Sequence, residues 1–345
     1  KVQENGQDVA QTFVQPDGGP ATDRTVVRFD LPEAVPAGGE LTLDIDFFDQ
    51  LPRVVARTGW WGSFHLVAQW FPKIGVLELP GERGATEPRW NVHEFHTHSE
   101  FYADWGSYDV TIDVPSDVKV GSAGELAGEP QTADGRTRYR YVQDDIHDFA
   151  WMADRNFAEP LKATWSHPGG EDVAVQVMYP PEYEKCAATV LKATMDSLTW
   201  FSDTLGRYPY RTSTAVIPPF NAGEAGGMEY QTFFTASGCS DPAEGTIDRF
   251  ALEFVTIHEF GHGYFYGILA NNEFEEPWMD EGLNEFWDQR LMARLYPDGV
   301  GMTPTWMKAW LGLDPKIDVF DIERLMAQLK DPVDRLGNSS WNRYS

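Results

Sequence analysis

The stretch Thr256-Ile257-His258-Glu259-Phe260-Gly261-His262 carries the pattern HExxH, in which two histidines are four residues apart and a glutamate follows the first. Residues four apart on an α-helix lie on one face, so the imidazoles of His258 and His262 can converge on one zinc ion. Glu259 lies beside them, where its carboxylate can take a proton from a water molecule at the metal. The stretch therefore predicts two metal ligands and the general base of a hydrolase.

A third metal ligand is expected downstream, because catalytic zinc takes three protein ligands and keeps one open position. Glu281 stands in Trp278-Met279-Asp280-Glu281-Gly282, with eighteen residues (263 to 280) between it and His262. Acidic residues crowd this segment, so the alternative is that Glu281 is a solvated surface acid. We predict one zinc ion per chain, held by His258, His262 and Glu281.

Upstream, the segment Gly226-Gly227-Met228-Glu229-Tyr230 adds a further motif. Together, GGMEY, HExxH and the later glutamate resemble the aminopeptidase N (membrane alanyl aminopeptidase) family of zinc metallopeptidases, gluzincins with a thermolysin-like catalytic domain. The resemblance implies a peptide substrate with a free N-terminal amine, bound by Glu229 in a subsite that includes Gly226, Gly227 and Met228. A carboxylate fixed at a closed cleft end would pair with that ammonium, so only the first peptide bond would reach the metal. The alternative is that Glu229 lies on an edge strand and the glycines permit a tight turn.

The chain departs from the family pattern at Tyr230, at Gly263–Gly267 after the second histidine and at Asp280. Tyr230 replaces the usual asparagine after the glutamate, which puts contacts to the substrate backbone in doubt, and Asp280 replaces the commoner asparagine before Glu281. The family also uses a downstream tyrosine to donate a hydrogen bond to the oxyanion. Tyr344 is a candidate for that role, and a tyrosine beyond residue 345 is the alternative.

The distribution of β-rich and helical patterns predicts two domains. Residues 1–183 contain short alternating runs such as 108–114 and 173–178, which predict an all-β sandwich or saddle. Residues 184–345 carry an amphipathic helix from 184, strands at 213–218 and 228–235, an apolar helix from about 249 to 266 that Thr246 or Asp248 can cap, and a helix opened by Glu276-Pro277. We predict an α+β thermolysin-like zinc peptidase domain there, incomplete at its C-terminal end.

Composition limits the partners. The formal net charge is −27 over 345 residues, which repels phosphate backbones and anionic lipids and argues against nucleic-acid binding. No apolar run approaches eighteen residues, so we expect no membrane-spanning segment. The only cysteines, Cys186 and Cys239, are too few for a disulfide scaffold, and their redox state stays open. Low cysteine content with high acidity is compatible with a bacterial periplasmic or secreted protein.

The same residues are compatible with two rival functions. The same zinc site could hydrolyse an epoxide or a lipid, as in the leukotriene-forming branch of the family. The chain could instead be a non-catalytic interaction module that retains the peptidase fold. A separate cluster, His93, His96 and His98, is a weaker candidate for a second metal site, because no cysteine lies nearby and the spacing gives no clear position for a third ligand.

Overall fold

The N-terminal part of the chain is built from short antiparallel strands. The computed structural model describes residues 1–322 apart from 56, 97, 98, 241 and 304. His98 and Tyr344 therefore lie outside the described residues. In chain order the strands are β1 (Val2–Glu4), β2 (Gln7–Asp8), β3 (Ala10–Phe13), β4 (Val27–Asp30), β5 (Asp44–Ile45), β6 (Gly59–Trp61), β7 (Phe64–Val67), β8 (Val76–Glu78), β9 (Arg89–Asn91), β10 (Gly106–Pro115), β11 (Lys119–Ser122), β12 (Glu125–Leu126), β13 (Gln131–Ala133), β14 (Arg136–Ile146) and β15 (Trp151–Asp154).

Two four-stranded sheets form the body of this part. One has the order β10-β14-β12 with β13 also paired to β14, and the other has the order β11-β15-β7-β6. Strand β10 covers the predicted run 108–114 and alternates more and less exposed residues, as period two requires. The side chains of Phe64, Ile146, Phe149 and Met152 are fully buried, which gives this part its own share of the core.

A five-stranded mixed sheet carries the second part. Its order is β16-β17-β18-β20-β19, with β17, β18 and β20 parallel and the two outer strands antiparallel to their neighbours. Because β16 and β17 precede residue 183, this sheet continues across the predicted boundary; the division at residue 183 itself stays a prediction. The bounds are β16 (Leu161–Trp165), β17 (Val173–Met178), β18 (Thr212–Val216), β19 (Met228–Tyr230) and β20 (Phe233–Thr235), followed by β21 (Val300–Gly301) and β22 (Lys316–Ile317).

Helices cover this sheet and carry the HExxH motif. Within the described residues they are α1 (Glu184–Thr204), α2 (Ile247–Phe265), α3 (Asn284–Leu295) and α4 (Thr305–Leu311), with 3₁₀ turns at Pro181–Tyr183 and Phe220–Ala225 and a π-helical turn at Trp278–Leu283. None of the helices in this part of the chain is long and apolar enough to cross a membrane.

Helix α2 begins at a side-chain cap and packs against α1. Thr246 is the cap residue, since its hydroxyl accepts a hydrogen bond from the backbone amide of Arg249 at 3.2 Å. The ring of Phe201 on α1 contacts those of Phe260 and Tyr264 on α2, with centroids 6.1 and 5.2 Å apart. A helix that is apolar nearly all round is buried in this way, so the motif it carries is held rigidly.

The strand predicted at 228–235 is in fact a hairpin. β19 and β20 pair antiparallel, and the chain reverses at Gln231 and Thr232. Thr232 has φ +65°, a left-handed conformation that breaks an extended run, and its hydroxyl accepts a hydrogen bond from the backbone amide of Gly124 at 2.7 Å. The single-strand prediction was wrong because a β-branched residue gives no local signal for such a turn. The reversal makes β19 the edge strand that carries Glu229.

The two cysteines form a disulfide. Cys186 lies in the first turn of α1 and Cys239 precedes α2, with Cα atoms 5.9 Å apart. The bond therefore ties α1 to the segment that leads into the motif helix.

Candidate metal centre

Three buried side chains converge at one point between α2 and the Trp278–Leu283 turn. The Nε2 atoms of His258 and His262 are 3.1 Å apart, and Nε2 of His258 is 3.3 Å from Oε2 of Glu281. All three ligand atoms lie within 4.8 Å of one another. Ligand atoms at about 2.0–2.1 Å from one zinc, at the corners of a tetrahedron, are about 3.3 Å apart. The spacing of these side chains therefore fits a zinc ion.

Two further carboxylates orient the histidines. Asp288 accepts a hydrogen bond from Nδ1 of His258 at 2.9 Å, and Asp280 accepts one from Nδ1 of His262 at 2.6 Å. Both aspartates are fully buried. A carboxylate on Nδ1 leaves the Nε2 lone pair of each imidazole directed at the metal position and raises its basicity.

Neither of these two roles follows from a sequence motif. Asp288 lies in the acidic segment that also contains Glu281, and Asp280 stood out only as a replacement for the commoner asparagine. One signal was available for Asp288: it follows Glu281 by seven residues, which is two helical turns and therefore the same helix face.

The electrostatics of the centre favour positive charge. Burial by itself would lower the pKa of His258, but the carboxylates of Asp288 and Glu281 raise it well above its usual value. Burial by itself would raise the pKa of Glu281, but His258 and His262 lower it to about 2. Carboxylates that stabilise an imidazolium also stabilise a divalent cation at the same position.

Glu259 lies beside the three ligand residues and is almost completely buried, at 8% exposure. Burial raises the pKa of its carboxyl. Its Oε2 atom has no hydrogen-bond partner within the described residues. A buried carboxylate oxygen left without a partner is costly, so this atom is suited to bind a water molecule.

Glu229 lines the same cavity as Glu259, 7% exposed. It lies close to the metal position, since one of its oxygens is within 4.8 Å of a ring nitrogen of His262 and an oxygen of Asp280. Burial raises the pKa of Glu229 well above its usual value, and its Oε1 has no hydrogen-bond partner among the residues that the structure describes. Glu229 thus lies on an edge strand, but its carboxylate is buried near His262 on α2. The edge-strand position is therefore compatible with a functional role.

The glycines before Glu229 permit a close backbone approach. A Cβ atom on Gly226 would lie 2.8 Å from the carbonyl oxygen of Ala236, and Gly227 has φ +70°. A Cβ atom on Gly227 would lie 3.5 Å from Oε1 of Glu259. Met228 is buried next to them. Gly226 therefore permits the close approach to Ala236, and Gly227 permits the left-handed backbone beside Glu259.

The histidines proposed as a second metal site bind an aspartate instead. Nδ1 of His93 and Nε2 of His96 lie 2.8 and 2.9 Å from the two carboxylate oxygens of Asp17. His93 also stacks on Phe274, with ring centroids 3.8 Å apart. Within the described residues, these side chains do not form a group with metal-ligand spacing.

This chain resembles known proteins in its fold but not in its sequence. No protein-family model and no curated protein matches the sequence. A crystal structure of an M1 zinc metallopeptidase from Deinococcus radiodurans aligns with 92% of this chain and 65% of its own, at 17% identity and a TM-score of 0.58. A crystal structure of Legionella pneumophila aminopeptidase A in complex with aspartic acid aligns with 55% of this chain and 23% of its own, at 16% identity and a TM-score of 0.48. The chain spans less than two thirds of either protein, and its fold is similar to that of the M1 zinc metallopeptidase.

Proposed function

We propose that the protein is a zinc aminopeptidase that removes the first residue of a peptide with a free amino terminus. The observation that carries the proposal is the position of Glu229, a buried carboxylate next to a His258/His262/Glu281 group whose spacing suits zinc. A carboxylate so close to the metal position would bind the ammonium of the first residue of a peptide, and the first peptide bond would then lie at the metal. The fold likeness to an M1 zinc metallopeptidase supports the same class of reaction.

The residues of the site suggest how the reaction would proceed. Bound zinc would be held by His258, His262 and Glu281, and it would supply Lewis acidity to the first peptide carbonyl and to a water molecule. Glu259 would take the proton from that water and pass it to the leaving amine. Glu229 would pair with the substrate ammonium and so fix which carbonyl is attacked.

Two rival proposals predict different substrates. Hydrolysis of an epoxide or a lipid would use the same zinc ligands without a requirement for a free amine. A non-catalytic interaction module would not need Glu259. Burial of this carboxylate costs free energy, and its Oε2 forms no hydrogen bond within the described residues that would offset the cost. The presence of this residue favours catalysis.

The proposal is tested by comparing Ala-Ala-Ala with its N-acetylated form as substrates of the zinc-loaded protein. We expect cleavage of the free peptide only, and loss of that preference in Glu229→Gln. Glu224→Gln is the matched control, because Glu224 is an exposed acid five residues upstream. Equal cleavage of both peptides by the unmodified protein would reject the aminopeptidase proposal, and binding without cleavage would favour the interaction module.

We also propose a periplasmic or secreted location. The Cys186–Cys239 disulfide supports it, because such bonds persist in oxidising compartments. Thiol labelling of the protein in freshly fractionated cells tests this: blocked cysteines are expected, and free thiols would contradict the proposal.

A further inference from the structure

Arg57 reaches from the N-terminal part of the chain into the catalytic part. It lies between β5 and β6, and its guanidinium forms an ion pair with Glu100. Nη1 of Arg57 also contacts Sδ of Met228 at 3.0 Å. Glu100 is 4% exposed, so this pair is held away from bulk water. Arg57 is in none of the motifs found in the sequence.

The backbone of Arg57 is held by the same segment. Its carbonyl oxygen accepts a hydrogen bond from the hydroxyl of Tyr230 at 3.3 Å, and its amide donates to the carbonyl of Glu224 at 3.2 Å. Arg57 has φ +70°, which is unfavourable for a residue with a side chain and persists only where the surroundings hold it. Tyr230, which stands where the family has asparagine, thus contacts the N-terminal part of the chain.

These contacts hold the strand at the residues immediately before and after Glu229. Met228 and Tyr230 are its two neighbours in β19, and each touches Arg57, one through the guanidinium and one through the backbone. Burial by itself would lower the pKa of Arg57, but the carboxylates of Glu100, Glu229 and Glu259 raise it well above its usual value. The guanidinium of Arg57 forms its ion pair with Glu100, and Oε1 of Glu229 has no hydrogen-bond partner among the described residues, so this carboxyl group can bind a substrate ammonium.

We propose that Arg57 is a positioning residue for Glu229: it fixes the strand on both sides of that carboxylate and neutralises Glu100, so that Glu229 alone pairs with the substrate amine. The inference rests on the proposed aminopeptidase function. It predicts that Arg57 controls the recognition of the amine rather than the cleavage step, although it lies 172 positions before Glu229 in the chain (229 − 57).

The test measures binding instead of turnover. Dissociation constants of Ala-Ala-Ala and of N-acetylated Ala-Ala-Ala are measured by calorimetry on zinc-loaded Glu259→Gln protein, which retains the peptide. The ratio of the two constants reports the contribution of the amine. We expect the free amine to bind about tenfold tighter or better in this background. Adding Arg57→Met should reduce the ratio towards one.

Two variants control for an indirect structural effect. Arg53→Met removes an exposed arginine of the same segment, whose guanidinium only stacks over Trp60 and Trp61 at 5.6 Å, and it should leave the ratio unchanged. Arg57→Lys restores a positive charge beside Glu100 without the planar fork, and it should recover part of the ratio. General loosening of the fold would weaken both peptides equally and leave the ratio as it was.

The outcomes separate this inference from the function on which it rests. A ratio near one already in the Glu259→Gln parent would remove amine recognition, and both proposals with it. A parent ratio of about ten that survives in Arg57→Met, or an Arg57→Lys ratio no larger than that of Arg57→Met, would overturn the role of Arg57 and leave the aminopeptidase proposal standing.

Discussion

Gly261 and Asn284 mark the point where the motif helix meets the helix that follows Glu281. A Cβ atom on Gly261 would lie 2.0 Å from Oδ1 of Asn284 and 3.1 Å from Cζ of Phe201. Asn284 in turn donates a hydrogen bond from Nδ2 to the backbone carbonyl of His258 at 2.8 Å. The close approach of α2 and α3 therefore depends on a residue without a side chain inside HExxH, and it brings Glu281 within reach of the histidines.

Gly261→Ala is expected to destabilise the protein by about 1–3 kcal/mol, because the added methyl group overlaps Asn284 and Phe201. Urea unfolding of the metal-free protein measures this. Gly263→Ala is the matched control in the same helix, since its Cβ would lie 4.0 Å from the nearest atom, a ring carbon of Tyr208. That variant should be neutral or gain up to about 1 kcal/mol from helix propensity. Equal stability of the two variants would contradict the close helix approach.

Glu259→Gln is expected to lower the rate of aminoacyl arylamide hydrolysis at least about 100-fold, because an amide cannot accept the proton from water. The zinc content, determined by elemental mass spectrometry, should stay that of the unmodified protein, since Glu259 is outside the proposed ligand set. Full activity in this variant would exclude Glu259 as the general base.

Asp288→Asn is expected to weaken zinc binding about 10- to 100-fold, because the Nδ1 proton of His258 loses its charged acceptor. Competition with a chromogenic chelator measures the dissociation constant. Asp196→Asn provides the control, because Asp196 is paired only with Lys192 on the outer face of α1. Unchanged zinc affinity in Asp288→Asn would show that orientation of His258 does not require that carboxylate.

Replacing both cysteines by alanine is expected to lower the free energy of unfolding by about 4 kcal/mol, the value for a cross-link that closes a loop of this length. The two cysteines are 53 positions apart. Urea denaturation of the double variant and of the reduced unmodified protein should give the same loss. If the double variant is as stable as the oxidised protein, the disulfide does not contribute to stability.

Local patterns predicted several elements well. Helix α1 begins at the predicted residue 184, the predicted strand at 173–178 is β17, and α2 lies within two residues of its predicted ends. The first two segments have a hydrophobic period that suits one structure, and α2 begins after a residue that can cap a helix. The turn at Thr232 and the π-helical turn at Trp278–Leu283 were not predicted, because no residue in either segment requires the observed backbone conformation.

By itself, the sequence determined which side chains carry the proposed chemistry. His258 and His262 meet because the α-helix has a fixed period, and a local period can be read from the order of residues. Only the tertiary structure decided that Asp288 supports His258, that Glu229 faces the motif helix, and that Arg57 contacts both neighbours of Glu229. These contacts join segments that are distant in the chain, and their distances follow from how helices and sheets pack rather than from any local spacing.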